Sequence, residues 1–207
     1  MLTGLILAGG SKAQGDGQLA ALLPCQGELL IQIQVREMQE ICQEIIVATP
    51  DPRPFLKILD PDIRIITDFY RGRGPLGGMY AGFSLSSHPN IWTVGSDMPY
   101  ISAKAAALLL EHKQEDYEAA VPWIGGVSYP LHGVYGKSCA RHIQNMVNNG
   151  DNRAASLIRR LNSLDMLEYH FEERGISLDF LKRFDEQDQV PDRISSVESG
   201  IIHTVDI

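Results

Sequence analysis

Asp97 lies in "VGSDMP" (94–99), just past the apolar run "IWTVG", where a carboxylate has two chemical uses. It can shape a turn, an option that Pro99 favours. It can also hold a hard cation such as Mg2+, which takes one or two carboxylates and fills its other positions with water and substrate phosphates. Two glycine-rich loops could seat such a substrate. The first, "LILAGGSKAQGDGQLAALLP" (5–24), places Gly9, Gly10, Gly15 and Gly17 after an apolar run. Glycines there serve a tight turn through positive φ, or they let backbone N–H groups reach an anion. The loop is not a Walker A loop, because G-x-x-x-x-G-K-[ST] is absent. The second loop, "DFYRGRGPLGG" (68–78), offers Asp68, Arg71 and Arg73, then Gly74, Pro75, Leu76, Gly77 and Gly78. Gly72, Gly74 and Gly77 match G-x-G-x-x-G roughly 20 residues ahead of Asp97, as in a dinucleotide fingerprint. Two details weaken that match: "DFYR" separates the glycines from the strand, and Pro75 removes an N–H from the cradle. Gly77 and Gly78 also admit close approach by a flat ligand, a purine or a pterin; the plainer alternative is a flexible glycine loop. His132, in "PLHGVY", reads as a hydrogen-bonded core residue inside a strand, since no Ser/Asp pattern supports a triad. Asn148, Asn149, Asp151, Asn152 and Arg153 could touch substrate, but capping accounts for the first four.

These loops need strands to carry them to one place. "LTGLILA" (2–8) is a continuous apolar run, as expected for a central parallel strand covered on both faces. Ile31, Val35, Met38 and Cys42 recur at helical spacing and predict an amphipathic helix over 28–42. "EIIVAT" (44–49), "DIRIIT" (62–67) and "IWTVGSD" (91–97) read as further strands, with a helix over about 76–86 between the last two. "SAKAAALLLEHK" (102–113) combines an N-capping Ser102 with strong helix formers. "EAAVPW" and "PLHGVY" read as two more strands with a hairpin turn at Gly125–Gly126. Helices over about 137–148 and 153–162 flank "NNGD", a stop-and-restart signal. The alternation implies a doubly wound, mostly parallel α/β sheet with helices on both faces. Ligands in such sheets sit at the carboxyl ends of the strands. The three loops should therefore line one rim. This domain spans 1–170. Residues 171–207 are polar and weakly periodic, and read as a peripheral or partly mobile extension with a short helix near 177–184.

Bulk composition sets outer limits. The chain has 207 residues, 44% hydrophobic and 21% charged, which suits a globular domain with a full core. A net charge of −8 argues against a duplex-binding protein, though not against a small anionic substrate. No run approaches a transmembrane span, and "MLTGLILAGG" lacks the basic start of a signal peptide. Cys25, Cys42 and Cys139 are far apart and read as reduced, largely buried thiols of a cytoplasmic protein.

"LILAGG", "TD" (67–68), "GPLGGMYAG" (74–82), "SDMPYI" (96–101) and "VPWIGGVSYPLHGVY" (121–135), in this order, resemble the molybdenum cofactor guanylyltransferases and their wider nucleotidyltransferase superfamily. The resemblance runs from residue 2 to about 165. It implies a Rossmann-like α/β fold and transfer of GMP from GTP to molybdopterin-bound molybdenum, with Mg2+ as cofactor and pyrophosphate as product. It further implies that Leu7, Ala8, Gly9 and the adjoining Gly10 contact GTP, that Asp68 does so too, and that Asp97 binds both Mg2+ and GTP. Gly74, Pro75, Leu76, Gly77 and Gly78 become acceptor-side candidates. The partners so implied are small molecules and proteins of molybdenum cofactor biosynthesis or insertion, with no nucleic acid and no membrane.

The first loop departs from the pattern it resembles, which reads L-A-G-G-x-S-x-R-M-G-x-D-K. With one deletion, Ala13, Gly17 and Gln18 take the places of the arginine, aspartate and lysine; without it, Gln14, Gln18 and Leu19 do. With the deletion, Gln18 marks the lysine's place and becomes a catalytic candidate beside Asp97. The family's N-x-N-T-P-x-D is not recognisable, and Thr49–Pro50 stands near the place of another family asparagine. Losing one donor on a transferring phosphate costs ~2.7–4 kcal/mol of transition-state stabilisation by analogy with oxyanion holes. Lys12, Arg71 and Arg73 are the candidate compensating cations. Two other readings follow: a ligand-binding adaptor that has lost transfer chemistry, and a related transferase using another nucleotide.

Overall fold

A computed structural model of the chain describes residues 1–9, 19–67, 70 and 74–184. The strands are β1 (Leu2–Leu7), β2 (Pro24–Cys25), β3 (Glu28–Leu29), β4 (Glu44–Thr49), β5 (Arg64–Thr67), β6 (Asn90–Gly95), β7 (Ala119–Ile124), β8 (Val127–Ser128), β9 (Gly133–Gly136) and β10 (Ser163–Leu167). The α-helices are α1 (Leu30–Gln39), α2 (Pro75–Leu85), α3 (Ala103–Lys113), α4 (Ala140–Asn148), α5 (Ala154–Ile158) and α6 (Glu168–Glu172). The main sheet has the order β10-β7-β9-β6-β1-β4-β5, with β8 paired to β7. β1 runs parallel to both β4 and β6, and β5 parallel to β4. β9 is antiparallel to β6 and β7, so the sheet is mixed but mostly parallel.

The unbroken apolar run of β1 follows from burial on two sides. Leu5 and Leu7 face a cluster with Ile46, Leu76, Met79 and Phe83, whereas Ile6 faces Ile31, Met38, Val47, Trp92 and Val94. Glycine sets how closely α2 lies on the sheet. A Cβ at Gly82 would stand 2.5 Å from Leu5 Cδ1, and one at Gly78 3.0 Å from Leu7 Cδ2. α3 begins as expected, with Ser102 Oγ accepting from the Ala105 N–H at 3.2 Å.

Several local expectations change. The turn at Gly125–Gly126 does close a hairpin, with φ of 58° and 81° as a two-residue loop of mirror-image type requires. Its second arm, however, is the short β8. β9 begins only at Gly133, because His132 adopts φ 102° and breaks the extended backbone ahead of it. The helix expected over 137–148 opens as a 3-10 turn, Lys137–Cys139, before α4, and the one expected over 153–162 contracts to α5. β10 gave no signal: at the sheet's edge only Met166 of "SLDML" is buried, so no alternation marks it. In the C-terminal extension, Leu178–Leu181 forms a 3-10 turn, and Phe171 and Phe180 are buried in the core.

Candidate active site

The strand order reverses at β1, with β4 on one side and β6 on the other, and in sheets of this kind the ligand crevice lies beyond the carboxyl ends of the strands at that point. Leu7 pairs with Gly95 across that boundary, and the Ser96 N–H donates to the Leu7 carbonyl at 3.3 Å. The turn that follows carries Asp97. The Met98 N–H closes it by donating to the Gly95 carbonyl at 3.3 Å. Glycine at 95 leaves the Asp97 side chain its place, since a Cβ there would stand 2.6 Å from Asp97 Oδ1 and displace the carboxylate. The carboxylate thus folds back over the end of β6.

Gln34 clamps this turn from beneath. It is fully buried on α1, and its Nε2 donates to the carbonyls of Gly95 (2.9 Å) and Met98 (2.8 Å). Its Oε1 is buried with no hydrogen-bond partner among the described residues. The sequence held a signal for it: a glutamine at a core-facing position of an apolar stripe, between Ile31, Val35 and Met38.

A third element reaches Asp97 from the end of the described chain. Arg183 Nη1 lies 3.1 Å from Asp97 Oδ2, and the Phe184 N–H donates to the Asp97 carbonyl at 2.6 Å. Phe180 seats this segment, with its ring centroid 4.5 Å from that of His132 and 5.2 Å from that of Phe171. His132 is itself fixed by the Ser102 N–H, which donates to Nε2 at 3.1 Å and so leaves the ring proton on Nδ1. Burial pushes the His132 pKa down to about 3. His132 is therefore a neutral strut, in keeping with the core role expected of it.

The described part of the first loop presents little donor surface. Leu7 and Ala8 are buried, and the Ala8 N–H already donates to the Ala48 carbonyl at 2.8 Å. Gly9 is exposed and abuts Pro50, whose Cδ would lie 2.9 Å from a Cβ there. Gly74 caps α2 with φ 61° and is exposed, and Pro75 follows at the first helical position. Leu76, Gly77 and Gly78 are buried, and the close approach that Gly78 permits is to Leu7 and Ala48 of the sheet. Behind Gly74 stands Asn152, whose carbonyl would lie 3.7 Å from a Cβ at Gly74 and whose Oδ1 is buried with no partner among the described residues. Gly10, Lys12, Ala13, Gln14, Gln18, Asp68, Arg71 and Arg73 lie outside the described residues. The strands bearing all three loops nevertheless run parallel and end at one edge.

Asp97 fits Mg2+ in one particular way. Among the described residues no group of three or more His, Cys, Asp or Glu is placed to hold a metal, so no protein cage surrounds it. A single carboxylate at an open crevice instead matches an ion whose remaining positions are filled by water and substrate phosphates. Cys42 and Cys139 are pushed up to about 12 by burial, which keeps them as thiols, and the three cysteines form no disulfide. No helix among the described residues is long and apolar enough to cross a membrane.

A parallel sheet reversing at β1, with a carboxylate at the reversal, defines a nucleotidyltransferase-type α/β fold. Solved structures share it. A molybdopterin-guanine dinucleotide biosynthesis protein A from Archaeoglobus fulgidus superposes with a TM-score of 0.75 at 17% identity, over 91% of this chain and 94% of that one. A 2-C-methyl-D-erythritol 4-phosphate cytidylyltransferase from Thermus thermophilus does so at 0.63 and 15%, over 91% and 95%. The family is set by sequence: residues 4–165 match the MobA-like NTP transferase domain, and the chain belongs to that family of nucleotidyltransferases. Its curated relatives include a "Probable molybdenum cofactor guanylyltransferase" of Pelotomaculum thermopropionicum, 33% identical over 69% of this chain and 67% of that protein. Another of that name, from Geobacillus sp. (strain WCH70), is 29% identical over 84% of this chain and 90% of its own length.

Proposed function

We propose that this enzyme is a molybdenum cofactor guanylyltransferase, acting in the cytoplasm on GTP and a molybdopterin-type acceptor. The observation that carries the reading is Asp97: a carboxylate at the strand-order reversal, on a turn whose flanking carbonyls at Gly95 and Met98 are held by Gln34, in a chain whose relatives bear that name. In the reaction a terminal phosphate oxygen of the acceptor forms a bond to the α-phosphorus of GTP. The bond from that phosphorus to the bridging oxygen breaks, and pyrophosphate leaves with the electron pair. The chain's part is to position the reactants and to offset developing charge.

Asp97 would hold Mg2+, which when bound supplies Lewis-acid stabilisation of the phosphate oxygens. Gln34 keeps the Asp97 turn in place. Gly9, small and exposed beside Pro50, leaves room for the triphosphate at the end of β1. The open N-terminal end of α2 at Gly74–Pro75, backed by Asn152, is the acceptor side in this reading.

Purified protein incubated with GTP, Mg2+ and molybdenum cofactor is expected to release pyrophosphate only when all three are present. GTP binding without release above background would overturn transfer and leave a ligand-binding protein. Release with CTP but not with GTP would overturn the choice of nucleotide.

A further inference from the structure

We propose that Arg183 is a triphosphate-binding residue, delivered to the crevice by the C-terminal segment to supply a cation that the first loop's pattern lacks. The inference rests on the nucleotide reading above and deepens it. The first loop carries Ala13 or Gln14, and Gln18 or Leu19, where its relatives' pattern has arginine and lysine. A nucleoside triphosphate seated at the end of β1 therefore needs positive charge from other residues, and Lys12, Arg71 and Arg73 lie outside the described residues. Arg183 is a cation that the described structure places at this crevice, 3.1 Å from Asp97 Oδ2.

Its placement is built. Phe180 is buried three residues before it, and the Phe184 N–H grips the Asp97 carbonyl one residue after it. Backbone and side chain of this segment thus converge on one residue, and that residue adjoins the end of β1 through Ser96 and Leu7. The guanidinium is also underused. Its side chain is 70% exposed, and of its five N–H donors only those of Nη1 face a partner among the described residues. A planar fork with open donors matches phosphate oxygens better than it matches one carboxylate oxygen.

The two faces of Asp97 explain how metal and guanidinium can share the site. Oδ1 folds back over Gly95, and Oδ2 carries Arg183. In the absence of nucleotide, Asp97 holds the guanidinium at the rim, already ordered. A triphosphate bound at the end of β1 would draw the guanidinium's open donors to its phosphate oxygens, and a side chain already ordered at the rim makes that move at little conformational cost; Asp97 would then be free to hold Mg2+.

The test is calorimetric titration of GTP into the full-length protein, once with Mg2+ and once with EDTA. Arg183→Gln is expected to weaken GTP binding roughly 10- to 100-fold in both conditions, the range for one charge-assisted contact. Arg183→Lys should recover part of the loss, because it restores the charge without the fork. Arg174→Gln, which removes an exposed pair with Glu111 elsewhere, should bind as the parent does. A thermal midpoint for Arg183→Gln equal to that of the parent separates lost contact from lost fold. GTP affinity unchanged in Arg183→Gln would overturn the proposal. Tighter binding, with less Mg2+ needed for saturation, would overturn it too and make Arg183 a plug on the metal carboxylate. A parent protein that binds GTP but releases no pyrophosphate sinks transfer and leaves Arg183's role standing. A parent that binds no nucleotide sinks both.

Discussion

At the N-terminal end of β1, Glu44 accepts hydrogen bonds from Thr3 Oγ1 (2.7 Å), the Ser87 N–H (2.8 Å) and Ser87 Oγ (2.9 Å), and pairs with Arg64. Ser86 extends the network by donating to Thr3 Oγ1 at 2.8 Å, and Lys137 Nζ donates to the Ser86 carbonyl. At the C-terminal end of the same sheet, the Asp97 carboxylate has Arg183 alone among the described residues. Nearby, Gln34 Oε1 and Asn152 Oδ1 are buried without partners among those residues. Both ends close a parallel sheet with a carboxylate. The first carboxylate is saturated from within the fold, so it acts as a structural tie. The second keeps unused capacity, and unused polar capacity in a crevice is what a ligand completes.

The largest test of that contrast is Asp97→Asn. It keeps the side chain's shape, removes the charge, and should lower pyrophosphate release by about 10²–10³-fold while leaving the urea unfolding midpoint in place. An undiminished rate would remove Asp97 from the site. Gln34→Leu should affect both properties. It strips donors from the buried carbonyls of Gly95 and Met98, at about 1–3 kcal/mol of stability. It should also loosen the Asp97 turn enough to slow transfer measurably. Stability lost with transfer intact would reduce Gln34 to packing.

Glu44→Gln probes the saturated end. Exchanging charge-assisted bonds for neutral ones should cost about 1–2 kcal/mol in urea unfolding and leave transfer unchanged. A fall in transfer would show the two ends to be coupled. The same end has a pH signature. Burial works to raise the Glu44 pKa, but hydrogen bonds from Ser87 and Thr3 and the pair with Arg64 outweigh it and bring it down to about 2. Its contribution is complete above the unfolded carboxyl value of about 4.3 and is lost as pH falls toward 2. His132 acts earlier in the same direction. Its folded pKa near 3 lies below the unfolded value of about 6.5, so the unfolded chain takes up the proton first. Stability should fall below pH ~6.5 by up to ~1.4 kcal/mol per pH unit, and His132→Asn should flatten that slope in urea unfolding between pH ~6.5 and ~4.5. The smallest effect is expected from Arg53→Gln. Its pair with Asp51 is solvated, and the thermal midpoint should not move.

The sequence made the central strands and helices legible because two-sided burial writes itself as unbroken apolar runs, as in β1 and β4. The place of Asp97 was legible for a related reason: a residue just past such a run sits at the carboxyl end of a strand. What stayed hidden depended on tertiary partners. β10 buries only Met166, and so offered no period to read. His132 looked like a strand residue because its φ of 102° leaves no mark in composition. Gly78 looked like room for a ligand, yet the space it frees is filled by Leu7 and Ala48. Arg183 was unreadable from its polar surroundings, since its position depends on Phe180 finding His132 and Phe171.

That dependence sets an order of events during synthesis. The seat of Phe180 includes His132, in the turn before β9, and Phe171 of α6, both of which leave the ribosome before it does. The guanidinium on Asp97 is therefore the last described piece of the crevice to arrive. A chain released early, after β10, would own the sheet, the glycine loops and the Asp97 carboxylate, yet lack that charge. If Arg183 binds the triphosphate as proposed, a chain that stops at β10 would meet its nucleotide without that contact.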